Sequence, residues 1–163
     1  MLFHLKGRIL VAALCLTAPA LFAQTPDQIV HWSASIKPQP VKPGGQPIAS
    51  VTAKIENGWH VYSITQAPGG PIKTSVRIPD GQDIRLAGAV KGTKPAVSFD
   101  KNFNMNTEYY QNAISLTAPL AVDSKASPGT KKVKIDVRFQ TCSDRLCLPP
   151  TTAHLQADAT IKK

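Results

Sequence analysis

Cysteine is scarce in this 163-residue chain, at three residues, and acidic residues number only ten against nineteen Lys and Arg. So few cysteines exclude a disulfide-dense scaffold. Cys142 and Cys147 are separated by only four residues, so a bridge between distant positions, as in antibody domains, has no residues to form it. Aromatic residues make up 6%, and no aromatic platform accompanies the basic charge, which argues against nucleic-acid binding. The lysines are scattered or alternate with apolar residues, as in KKVKIDVRF at 131–139, the spacing of a solvated strand face. There is no GxSxG or HExxH, and Asp100, Glu108 and Asp144 stand apart in loop sequence, so hydrolase and acid–base chemistry have no framework. Histidines paired at i and i+4, an HxH motif and a methionine cluster are missing too. A metal site built from Cys142 and Cys147 with His60 or His154 is therefore weakly supported.

The one long apolar stretch lies at the start. Lys6 and Arg8 precede an apolar run from Ile9 to Leu16, which relaxes into small residues up to Ala23. That stretch is too short to span a bilayer and has the order of a secretory signal cleaved after Ala23. A retained membrane anchor is the alternative; a lipid anchor on Cys15 is disfavoured by Leu14, where a small residue is wanted. Cleavage removes 23 residues and Cys15, leaving residues 24–163 as one domain, and loss of Lys6 and Arg8 lowers the formal charge from +9 to +7. No second apolar segment follows. The expected product is periplasmic or secreted, and an even cysteine pair in an oxidising compartment is expected to be bridged.

Periodicity of two, rather than 3.6, runs through the remaining chain, with breaks rich in Gly, Pro, Asn and Asp. Val30, Trp32, Ala34 and Ile36 form one apolar face, and Ala49, Val51, Ala53 and Ile55 the next, across the stiff connection KPQPVKPGGQP. Asn57-Gly58 marks a turn before GWHVYSI, and QAPGGPIKT at 66–74 is too rich in Gly and Pro for regular structure. KGTKP reads as a separator, and DKNFNMNTE as a polar loop before a strand in YYQNAISLTAPLAV. The clearest strands place Val133, Ile135, Val137 and Phe139 on one face, and Ala153, Leu155, Ala157, Ala159 and Ile161 on another. Eight or nine short strands and no helix predict an all-β, immunoglobulin-like sandwich, with a closed barrel as the alternative.

Between those two strands lies FQTCSDRLCLPP, residues 139–150. A Cys142–Cys147 bridge closes a ring of about six residues, which stabilises by roughly 2 kcal/mol, against more than about 4 for a bridge spanning some 80 residues. A structural staple and an exchangeable bridge both remain open on that arithmetic. Continued parity from Phe139 would place Gln140 and Cys142 on the polar face, within a partner's reach. Pro149 and Pro150 fix φ and stiffen the exit, Arg145 favours a thiolate and Asp144 opposes it.

FQTCSDRLCLPP, taken with GWHVYS at 58–63 and GGPIKTS at 69–75, resembles the N-terminal periplasmic domain of the thiol:disulfide interchange protein DsbD family, over about Val30 to Ile161. The resemblance implies an immunoglobulin-like sandwich with one redox-active pair, Cys142 and Cys147, needing no cofactor and exchanging electrons with thioredoxin-like proteins. By motif, Cys147 forms the mixed disulfide and Cys142 resolves it. A cap loop whose aromatic covers the disulfide maps onto DKNFNMNTEYY; anchoring on Glu108 and Tyr110 puts that aromatic at Phe103. The chain departs from well-known members in having four rather than five residues between the cysteines, and Leu148 where a tyrosine often precedes the prolines. These 163 residues contain no counterpart of the family's membrane-spanning carrier or its C-terminal thioredoxin-like domain, so the electron donor is expected to be another polypeptide. The competing expectation is a non-enzymatic, secreted β-sandwich binding or assembly module with a structural disulfide.

Overall fold

A computed structural model describes residues 24–163; the expected signal segment, with Lys6, Arg8, Cys15 and the cleavage point after Ala23, lies outside the described residues. Pro26–Ile29 form a single helical turn, α1, where no helix was expected, with a capping box between Thr25 and Gln28. Twelve strands follow among the described residues, more than the eight or nine predicted. They are β1 (Val30–Lys37), β2 (Ile48–Ile55), β3 (Trp59–Tyr62), β4 (Ser75–Arg77), β5 (Ile84–Leu86), β6 (Lys91–Gly92), β7 (Ala96–Asp100), β8 (Met105–Tyr110), β9 (Ala113–Val122), β10 (Gly129–Phe139), β11 (Thr141–Ser143) and β12 (Thr151–Ile161).

The strands form an all-β, immunoglobulin-like sandwich of antiparallel sheets. One sheet runs β1-β2-β9-β5, with the short β6 also on β9; a second runs β12-β10-β4; a third runs β11-β3-β8-β7. The predicted apolar faces meet in one core. Val51, Leu116 and Leu120 of the first sheet and Ile135, Val137 and Phe139 of the second are completely buried, and Val61 and Tyr110 join them from the third. No helix among the described residues is long and apolar enough to cross a membrane.

Two local differences from the sequence expectation have simple causes. KGTKP contributes β6 because Gly92 lets the backbone approach Leu116 and Ser115 of β9 closely. The DKNFNMNTE loop is shorter than expected, because Met105–Glu108 pair with β7 and leave only Lys101–Asn104 as the turn, closed by Asn104 at φ 52°. The proline-rich connection between β1 and β2 is tied to β12: Val41 bridges Ile161 in parallel, and the Gln39 side chain bonds Asp158 O and Thr160 N. The cis bonds among the described residues are Lys37–Pro38 and Gln39–Pro40, so those before Pro149 and Pro150 are trans.

Candidate active site

The chain leaves the second sheet at Phe139 and enters the third at Thr141, with Gln140 as the joint. The Gln140 side chain accepts from Ile72 N (2.9 Å) and donates to Leu148 O (3.5 Å), so it ties the GGPIKT loop to the two-cysteine segment. After the joint, β11 adds to the edge of β3, pairing Thr141 with Val61, Cys142 with His60 and Ser143 with Trp59. The Thr141 hydroxyl donates to His60 O at 2.8 Å and fixes that register.

The chain then folds back as a tight hairpin. Ser143 N donates to Leu146 O (2.8 Å) and Leu148 N to Thr141 O (3.0 Å), flanking Cys142 and Cys147. The two cysteines thus face each other as a non-hydrogen-bonded cross-strand pair, their Cα atoms 4.0 Å apart, joined by a disulfide. The Ser143 hydroxyl accepts from Arg145 N and Leu146 N, which closes the tip without help from the sulfurs. Asp144, Arg145 and Leu146 project into solvent.

Exposure divides the pair. Cys142 is completely buried, whereas Cys147 is half-buried. This corrects the expected outward parity of Cys142. The period of two is broken at Gln140, where the chain changes sheets, so the polar face of β10 does not continue into β11; Gln140 itself is buried and hydrogen-bonded.

On the same face of the third sheet, rings form a continuous row beside the bridge. His60, opposite Cys142, meets Tyr62 edge-on with centroids 5.2 Å apart and Tyr109 at 5.2 Å. Tyr62 in turn meets Phe103 edge-on at 5.8 Å. Phe103 lies in the β7–β8 turn, and its aromatic contact is with Tyr62, two rings along the row from Cys142. Asp100 anchors that turn twice: Oδ2 accepts from the buried Tyr62 hydroxyl at 2.7 Å, and Oδ1 accepts from Asn102 N at 2.8 Å. Burial, then the hydrogen bond to Asp100 and its charge, hold the Tyr62 phenol far above the usual tyrosine range, so it stays a donor. The His60 imidazole is pushed below 6.5 by burial, against the opposing pull of Asp100 and Asp144. A cleft of about 360 Å³ opens here, lined by His60, Asp100, Thr107, Tyr109, Ser143 and Asp144 among others.

Glu108 and Tyr110, two residues apart on β8, lie on the face opposite Thr107 and Tyr109. Glu108 accepts from the hydroxyls of Ser63 and Thr65, and the Tyr110 ring is buried in the core. Sequence reasoning singled out the cysteines and Phe103 but assigned no role to Tyr62 or Gln140 and weighed Asp100 only as an isolated acid. His154 is bound instead to Asp136 at 2.8 Å, and no group of three or more His, Cys, Asp or Glu side chains suited to a metal ion occurs among the described residues.

The sequence model of the family described as thiol:disulfide interchange protein DsbD, N-terminal, matches residues 26–159. In fold, the chain is similar to the reduced DsbD N-terminal domain of Neisseria meningitidis, with a TM-score of 0.52 at 17% identity, covering 84% of this chain and 90% of that one. It is also similar to the N-terminal periplasmic domain of ScsB from Proteus mirabilis, with a TM-score of 0.49 at 16% identity over 82% of this chain and 48% of that one. No curated protein sequence matches the chain.

Proposed function

Because the chain belongs to the thiol:disulfide interchange protein DsbD N-terminal family, we propose that it is an exported thiol–disulfide exchange domain that passes reducing equivalents to partner proteins through Cys142 and Cys147. The observation that carries this reading is the unequal exposure of the bridged pair: Cys147 is half-buried, whereas its bonded partner Cys142 is completely buried. Exchange requires one sulfur that a partner can reach and a second that stays close enough to displace it. Residues 24–163 form the working domain, residues 1–23 are its cleaved signal, and the site operates in the periplasm or outside the cell.

In the reducing direction, Cys147 thiolate attacks one sulfur of a partner disulfide. The partner's S–S bond breaks, its other sulfur leaves as a thiolate, and a mixed disulfide remains. Cys142 then attacks Cys147 Sγ, the partner's second sulfur leaves, and the Cys142–Cys147 bridge reforms with two electrons transferred. Thioredoxin-like proteins are the partner class that recharges the pair. Phe103, at the turn anchored by Asp100, acts as the cap over this end of the sheet.

The hydrogen bonds of the hairpin weigh against a staple. Ser143 N to Leu146 O, Leu148 N to Thr141 O and the Ser143 hydroxyl already close the turn. The deciding measurement is the reduction potential together with Cys142→Ala trapping. The expected result is a potential in the range of exchange proteins and a stable mixed disulfide on Cys147. A potential well below about −300 mV with nothing trapped would leave a structural bridge.

A further inference from the structure

Resolution of the mixed disulfide, on the reading just proposed, requires Cys142 to become a thiolate. Its position opposes that: Cys142 is completely buried, and burial disfavours the charged form of a thiol. A group able to take the proton must lie beside it. Directly opposite Cys142 on β3 stands His60, and directly opposed residues of antiparallel strands have Cβ atoms about 4.5–5.5 Å apart on the same face.

His60 differs from the other histidines placed in hydrogen bonds. His31 meets Glu56 at 3.2 Å and His154 meets Asp136 at 2.8 Å, but no hydrogen-bond partner for the His60 ring occurs among the described residues. Its ring lines the cleft of about 360 Å³. From β11 it faces Cys142, from the hairpin tip Asp144, from its own strand Tyr62, from β8 Tyr109, and from β7 and its turn Asp100 and Lys101.

We infer that His60 accepts the Cys142 proton during resolution, with Asp100 and Asp144 stabilising the imidazolium that forms. The Cys142 S–H proton passes to an imidazole nitrogen, and the sulfur's electron pair forms the bond to Cys147 Sγ. The Cys147–partner S–S bond breaks, its electron pair leaves on the partner's sulfur as a thiolate, and the imidazolium returns its proton to water through the cleft. Burial supports the assignment, because it keeps the ring neutral and ready to accept a proton at neutral pH.

The test uses the reduced mature chain, residues 24–163, in which Cys142 and Cys147 are the two thiols, mixed rapidly with dithiobisnitrobenzoate. Cys147 attack releases one coloured thiolate, and resolution by Cys142 releases the second. In His60→Gln the second phase is expected to slow by about a hundredfold near neutral pH, the low end of what a positioned base contributes, with the first phase unchanged. The wild-type second phase is expected to be level with pH above the lowered His60 value, whereas the variant's rises with pH as hydroxide alone makes the thiolate. Imidazole in solution is expected to restore the rate of His60→Ala, since the cleft is open. A second phase of unchanged rate and pH profile in His60→Gln overturns this assignment alone. So does a slowed phase with an unchanged profile that imidazole does not rescue. A wild-type chain that never releases the second equivalent overturns the exchange reading, and this one with it.

Discussion

Cys142 and Cys147 are the same residue type in the same ring, so only their surroundings distinguish them: Cys142 is completely buried and Cys147 is half-buried. That division was partly legible. The spacing and the motif pointed to the pair, but the parity that places Cys142 outward assumes an unbroken strand, and Gln140 breaks it by bonding Ile72 N and Leu148 O at the passage between sheets. Phe103 was legible as a residue and not as a contact, because its ring seats on Tyr62, a neighbour 41 positions earlier in the chain. In the proposed cap role, Phe103 restricts access to the reduced pair. Phe103→Ala is expected to speed alkylation of Cys147 by about tenfold, the factor that applies when the uncovered state is populated at about a tenth. An unchanged rate by timed iodoacetamide quench would count against the cap.

At the scale of elements, the site depends on β10 being held firmly before it hands the chain to β11. Asp136, on the outer face of β10, is paired in register with Arg77 of β4 and His154 of β12, and bonds both, at 2.9 and 2.8 Å. The hydrogen bond to His154 first, and Arg77 beside it, hold the Asp136 carboxyl below its ordinary 3.8 despite partial burial. A depressed carboxylate contributes stability above its unfolded value, and that contribution is lost as pH falls through the folded one. Asp136→Asn is therefore expected to cost about 0.5–1 kcal/mol near neutral pH, the scale of an exposed ion pair, and progressively less below pH 3.8. Urea unfolding of both chains from neutral pH down to acid checks this; a gap that persists in acid contradicts the ion-pair account. The sequence displayed Asp136 only as one polar residue in an alternating strand, since cross-strand partners 59 and 18 positions away leave no local signal.

For the whole molecule, the fold was legible because period-two faces such as Val133–Phe139 and Ala49–Ile55 describe burial directly. The short pieces β6 and α1 were not, since two and four residues carry no period. The core that results is independent of the bridge: Leu116, Leu120, Ile135 and Phe139 are fully buried between sheets, while the bridge closes only the hairpin beyond β10. A carrier that alternates between dithiol and disulfide needs that separation, because its fold must survive every turnover. The ring of about six residues restricts the unfolded chain by roughly 2 kcal/mol, whereas Leu116→Ala in the core is expected to cost about 2–5 kcal/mol. Reduction with a phosphine should therefore lower the melting temperature by several degrees and leave a single cooperative transition with unchanged strand content by far-ultraviolet circular dichroism. Leu116→Ala should lower it at least as far in both redox states. Loss of cooperativity on reduction alone would mean that the bridge holds the sandwich together, and a domain of that kind does not function as an exchanger.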